Sequence, residues 1–324
     1  MSSSDNTSTR KRDFINRFVN NGWFILACNL CSVIGLVISF VSENEICKII
    51  FAIITALLIC SVAFYMFYRV FALKRAKRNI YKTNLAMNKK TFGFLHDFYK
   101  DLLAYIYYLR NNDNISKETF RDKAILLCNR IERIFTIYLA TKEPVSVCVK
   151  LIKSDSIMDE NILNSEVYTF ARSTSTASER FQYDEKDNSC DKINNNSDFE
   201  MIVSNEDAFR NIDYFSCEDL DAYPKIHLEE YKKEYRNSHS EPPYKSAIVI
   251  PIRAKIENVS KNLKRQCVNK NCFHIVGFLC IDSEEKFITS KDFKLTRFKS
   301  STELAYTLGE SLYPFFEEHL IKSL

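Results

Sequence analysis

Glycine is scarce in this chain: 5 in 324 residues, alongside 6 prolines, 1 tryptophan and 5 histidines. A GxxxxGK[ST] loop or a GxGxxG turn needs glycines so that backbone can approach a phosphate, and neither pattern occurs. His96, His227, His239, His274 and His319 form no HExxH and no triad spacing, so zinc-protease and Ser-His-Asp chemistry have no signature here. Charge of one sign is also lacking. The formal net charge is only +4, and the basic excess lies beside apolar runs rather than along a nucleic-acid-binding stripe. These absences point away from an enzyme, a cofactor site and a nucleic acid polymer as partner.

What the chain does have is two long apolar runs. Gly22–Val41 and Ile49–Tyr68 carry no charged side chain. Each is about 20 residues, which at ~1.5 Å rise per residue matches a hydrocarbon layer of ~30 Å. A helix apolar on every face for this length is read as a membrane span. Only Ser42–Lys48 separates the runs, so they form a tight two-helix hairpin over residues 22–71. The first run exceeds a signal-peptide core and no small-residue cleavage site follows it. Arg10, Lys11, Arg12 and Arg17 precede the hairpin, and Arg69, Lys74, Arg75, Lys77, Arg78 and Lys82 follow it. The positive-inside bias therefore predicts a plasma (inner) membrane protein with both termini cytoplasmic, its residues 1–21 forming a cytoplasmic tail. The 11 scattered cysteines are then expected to be reduced thiols. Cys28 and Cys31 form a CxxC, but inside a span, where a thiolate is costly, they read as small apolar side chains.

Beyond the hairpin, helical spacing continues through Arg69–Leu109. Leu95, Phe98, Leu102, Tyr105 and Leu109 make a short apolar seam. Asn111–Asn114 is a turn cluster, and Ser116 caps a second helix reaching about Thr141, with Ala124, Leu127, Ile131, Ile134 and Tyr138 as its seam. Residues 72–115 thus read as a helical stalk whose seams pair within one chain or across a homodimer. His96-Asp97 superficially matches a phospho-acceptor helix, but no Pro-containing continuation or ATP-binding module follows, and a surface histidine is the simpler reading. From Val145 the period becomes strand-like. Val145–Lys153, Val167–Ser173, Lys245–Ala254 and Phe273–Ser283 are strands, the third expected at an edge or bulge because Pro251 cannot donate to a ladder. Residues 174–196 and 255–271 read as polar loops, Ser197–Asn205 as a short helix, and Thr289–Ile321 as a closing helix. Cys267, Cys272 and His274 are the best metal-like cluster, yet their spacing is long and a fourth zinc ligand is missing. They are read as loop and strand residues, with no metal.

The strand SAIVIPI (residues 246–252), the strand HIVGFLCIDS (274–283), then a phenylalanine and Asp292 before a terminal helix resemble the second half of a GAF domain. Gly277 through Ser283 match that family's Gly-Φ-Leu-x-Φ-(Asp/Asn)-Ser strand. The resemblance spans about Thr119–Leu320 and places a GAF-like domain at residues 116–324. It implies an α+β fold: a central antiparallel sheet, helices on one face, and a ligand cavity on the other under loops. It also implies binding of cyclic nucleotides, tetrapyrroles or metabolites, or dimerisation. The NKFDE pattern of cyclic-nucleotide binders is absent, and no cysteine or histidine sits where a bilin or haem would be held, so the ligand stays open. Two spans plus a GAF-like domain also resemble uncharacterised bacterial membrane proteins, some from antiviral signalling loci.

The expected function is a membrane-anchored sensor. It binds a small molecule, for instance a nucleotide second messenger, and relays the signal through the stalk to the membrane helices or a partner. The alternative is a ligand-free anchored interaction or dimerisation module. For a ligand, Arg172 at the end of an apolar strand offers a bidentate anion contact. Lys245 and Ser246 stand at a strand entrance, Asp219 lies in an acidic aromatic loop beside Phe215, and Phe199, Tyr214 and Tyr223 offer planar faces for stacking. Each also has an ordinary role, the arginine in a surface ion pair and the rings in the core.

Overall fold

Helical and alternating apolar spacing are both realised in the computed structural model, which describes residues 33, 37, 44–139, 141–153, 162–175, 191–237, 244–260, 263, 273–286 and 293–323. The first apolar run lies outside these residues apart from Val33 and Val37, as do the tail 1–21, Cys28, Cys31, Cys267 and Cys272. The chain divides into two compact units, Met1–Leu85 and Ala86–Leu324.

In the first unit the described chain, apart from Val33, Val37 and Asn44, is part of helix α1, Glu45–Arg110. Asn44 Oδ1 accepts the Ile46 N–H, a side-chain cap on one of the orphan donors of the first turn. Along 49–68 the large apolar side chains are outward on several faces: Ile49, Ile53, Leu57, Phe64 and Phe67 are all more than half exposed. Among the described residues no helix is long and apolar enough to cross a membrane; several side chains of the 49–68 run are not among them.

In the second unit the last turns of α1 join α2 (Lys117–Leu139), α3 (Ser197–Val203), α4 (Tyr223–Tyr231) and α5 (Phe293–Ser323). The strands are β1 (Ser146–Ile152), β2 (Glu166–Arg172), β3 (Asp191–Lys192), β4 (Phe215–Cys217), β5 (Ser246–Lys255) and β6 (Phe273–Ser283). They form one antiparallel sheet in the order β3-β2-β1-β6-β5-β4. Ser116 Oγ accepts the Thr119 N–H and so caps α2 as its sequence implies. Pro251 pairs with Phe278 on one side, while β4 reaches only Val249 on the other, so the missing N–H faces no ladder. A register shift follows at Ile252/Arg253.

The period-2 alternation of the strands sends their side chains into two separate apolar layers. Val147, Val149, Leu151, Ile248, Ile250, Leu279 and Ile281 face the helices, where Phe98, Leu102 and Leu109 of α1 meet Ala124, Leu127, Ile131 and Ile134 of α2 and Leu308, Leu312, Phe315 and Phe316 of α5. The two seams read from the sequence thus pack within one chain. The other face, bearing Cys148, Val249, Phe278 and Cys280, is covered by α3 and by Phe209, Phe215, Leu220 and Tyr223. The structure is therefore α+β with a central antiparallel sheet.

Candidate functional site

The residues proposed for ligand contact divide among several places. Phe199, on α3, is buried and stacks on Phe278 of β6 with centroids 4.4 Å apart. Phe215 meets Tyr223 edge-on at 5.2 Å, and Tyr235 closes the group at 5.3 Å from Tyr223. The Tyr223 hydroxyl points at Met201 Sδ, 3.8 Å away. These rings belong to one buried layer and pack on each other. Tyr214 is more exposed and turns the other way, edge-on to Tyr306 of α5. Asp219 pairs with Lys286 Nζ at 2.7 Å, which holds its carboxyl below the usual carboxylate range. Ser246 is fully buried and donates to the Glu285 carbonyl at 2.7 Å. Lys245 is exposed, its backbone N–H bonded to the Ser283 carbonyl. Arg172 Nη1 donates to Ser146 Oγ at 3.1 Å.

Beneath α3 the sheet face carries charge. Lys150 Nζ lies 5.6 Å over the Phe199 ring, and Asp198 and Asp282 are buried nearby. Burial pushes the Asp198 carboxyl up to about 6, partly countered by Lys150. Cys148 and Cys280 are register partners on β1 and β6. A hydrogen bond from Cys280 pulls the Cys148 thiol below its usual range, and Arg172 acts in the same direction. Its counterpart Cys280 is pushed up by the same hydrogen bond and by burial. At the far end of β5, Arg253 is buried between Phe273 and Tyr306, its guanidinium 4.0 Å from the Phe273 centroid. Its Nη2 donates to Asp213 at 3.0 Å and to the Tyr306 hydroxyl. The Nε and Nη1 of Arg253 have no partner among the described residues.

An open cleft lies on the helical side, where the start of α2, the ends of β1 and β2 and the end of α5 converge. Its volume is about 380 Å³, and Ile115, Phe120, Leu151, Ile152 and Leu320 give it apolar walls. Lys117, Tyr168, His319 and Lys322 are its polar lining residues, and no carboxylate is among the described residues that line it. Lys117 Nζ stands 5.9 Å over the Tyr168 ring. Lys322 Nζ donates to the carbonyls of Leu109 and Asn112, just where α1 ends. Those carbonyls lack helical partners, and a cation there also suits the helix dipole. The His319 ring packs on Phe120 and Phe170, with centroids 4.7 and 4.9 Å away. Sequence reading missed this cleft. A lysine at a helix start or end carries no signal alone, and only the fold brings Lys117 and Lys322 to one opening.

The buried imidazoles predict a pH dependence. Burial pushes both His274 and His319 down to about 4, with Lys117 adding to the effect at His319. Against an unfolded value of about 6.5, the unfolded chain binds protons that the folded chain refuses between these limits. Stability is therefore lost as pH falls from about 6.5 towards 4. Asp198 opposes this from about pH 6 downward, since the folded chain protonates its raised carboxyl before the unfolded chain does. Two imidazoles outweigh one carboxyl, so the melting temperature of the detergent-solubilised chain should drop between pH 7 and pH 5. A rise over that interval would contradict the assignment.

No family model matches the chain, and no curated protein matches it. Among solved structures it is similar to the GAF domain of an Acinetobacter phosphoenolpyruvate-protein phosphotransferase, at 11% identity and a TM-score of 0.32, over 68% of this chain and 94% of that one. A likeness at that score is too distant to transfer a ligand or a role.

Proposed function

We propose that the chain is a membrane-anchored, cytoplasm-facing sensor whose GAF-like α+β unit binds a small molecule in the cleft between α2, β1, β2 and α5. The observation that carries this reading is the cleft itself. At about 380 Å³, with apolar walls and a few convergent polar groups, it has the size and lining of small-ligand sites. Membrane anchoring rests on the two charge-free runs and their flanking lysines and arginines. It is supported by the outward Ile, Leu and Phe side chains of residues 49–68, which water would solvate poorly. The sheet order and the Gly277–Ser283 strand support the GAF-like reading, and a place in bacterial antiviral defence would suit a sensor that acts on its own membrane segment. Helix α1 holds one of the charge-free runs and, past Ala86, buried core residues of the α+β unit. A ligand bound unequally by two states of that unit would shift their populations.

Thermal-shift screening of the detergent-solubilised full chain against nucleotides and organic acids tests the reading. A binder should raise the melting temperature with concentration, and Lys117→Glu should remove the shift while Arg172→Ala leaves it. Deleting residues 22–68 should release the chain from the membrane fraction. If no compound shifts the melting temperature, the interaction module takes its place. The packed rings of Phe199, Phe215, Tyr223 and Tyr235 favour that second reading, because they fill the sheet face where a GAF ligand would sit. Either reading is compatible with a homodimer formed through the exposed side of α1, where Phe92, Leu103 and Tyr107 are outward.

A further inference from the structure

We infer that the cleft is selective for an organic anion with a flat apolar body, and that its occupancy is read at the end of α1 through Lys322. The inference rests on the sensor reading above and specifies its ligand class and its relay. Selectivity follows from the lining. Lys117 and Lys322 both line the cleft, and among the described lining residues there is no acidic side chain. A carboxylate or phosphate placed between them gains two charge-assisted hydrogen bonds. Below that level the walls are Leu151, Ile152, Leu320 and the rings of Phe120 and Tyr168, which suit an apolar or aromatic body and give a strongly hydrated inorganic anion little. The imidazole of His319 is buried against Phe120 and Phe170 and adds no positive charge near neutral pH.

The relay follows from what Lys322 already does. Its ammonium bonds the carbonyls of Leu109 and Asn112, and Arg110 beside them pairs with Glu318 one turn earlier on α5. A charged acceptor competes better for an ammonium than a neutral carbonyl does, so a bound anion draws Lys322 towards the cleft and weakens its hold on those carbonyls. The last turn of α1 then frays. The same lysine thus serves the ligand and the helix end, which couples the two without any large movement.

Hydrogen exchange on the full chain in nanodiscs tests both parts, with 2-naphthoate as the probe, 2-naphthol as the same body without charge, and acetate as the charge without the body. Naphthoate should slow exchange around residues 115–120, 151–152 and 319–322 and speed it around 107–113. Naphthol and acetate should do neither. Lys117→Glu should weaken naphthoate at least tenfold without lowering the melting temperature. Equal binding of naphthol overturns the anion selectivity while leaving a small-molecule cleft in place. Slowed exchange at the cleft with 107–113 unchanged overturns the relay. Protection confined to residues 197–203 and 246–250 overturns the cleft as the site and leaves a sensor that binds on the other sheet face. No response to naphthoate at any peptide overturns the inference, and the wider compound panel then decides whether the sensor reading falls with it.

Discussion

Gly277→Ala should leave little or no folded protein. Gly277 lies on β6 opposite Leu151 of β1, in the middle of the sheet. A Cβ there would overlap the Lys150 carbonyl oxygen and lie 3.0 Å from the Leu151 Cα, so the obstruction is backbone and cannot rotate away. Overpacking a core typically costs about 1–3 kcal/mol even where side chains can yield. With a strand backbone in the way, a loss of about 4 kcal/mol is expected, a large share of the ~5–15 kcal/mol that holds a domain together. Soluble-aggregate fraction and loss of a cooperative melting transition are the measurements. A variant that melts within a few degrees of the parent would show that β1 and β6 are not this close.

Adjacent substitutions on α1 should have opposite consequences. Leu102 is 2% exposed and sits in the core with α2 and α5, whereas Leu103 is 65% exposed. Leu102→Asp places a carboxylate among apolar side chains with no cation to pair it. The lost leucine alone is worth about 2–5 kcal/mol, and the unpaired charge adds to that, so the α+β unit should unfold. Leu103→Asp should leave the melting temperature within a degree or two. If the exposed side of α1 is where two copies meet, it should lower the mass measured in detergent by light scattering. Equal stability of the two variants would remove the helix from the core. An unchanged mass for Leu103→Asp would remove this face from any dimer.

Local patterns made the longer strands and helices readable in advance, whereas β3 and β4 were not: β3 lies in the 174–196 stretch read as a polar loop, and strands of two and three residues are too short to show an alternation. Val145–Lys153 and Phe273–Ser283 alternate, Ser116 caps, and Pro251 marks where a ladder must stop. The Leu95–Leu109 seam was legible as apolar but not as to its partner, since the same spacing serves a dimer, a hairpin or a domain core. Tertiary packing against α5 decided it, and α5 lies some 200 residues away in the chain. The ring residues were legible as apolar surface seeking a neighbour. Phe199 found Phe278 and Phe215 found Tyr223, a choice that depends on how α3 and α4 settle on the sheet. The cleft was not legible at all. Its chemistry comes from lysines at helix ends, and its shape from the ends of two strands that meet them.

The strand order has a consequence for how the chain is made. β1 lies between β2, which follows it closely, and β6, which is over 120 residues downstream. The central pairing therefore has a high sequence separation, and closing it carries a loop-entropy cost before any contact repays it. During synthesis, at about 5–20 residues per second, α1, α2 and the β1–β2 hairpin wait several seconds for their sheet neighbour. The apolar run at 49–68 leaves the ribosome well before that, so its environment is chosen while the rest of the chain is still an open polymer.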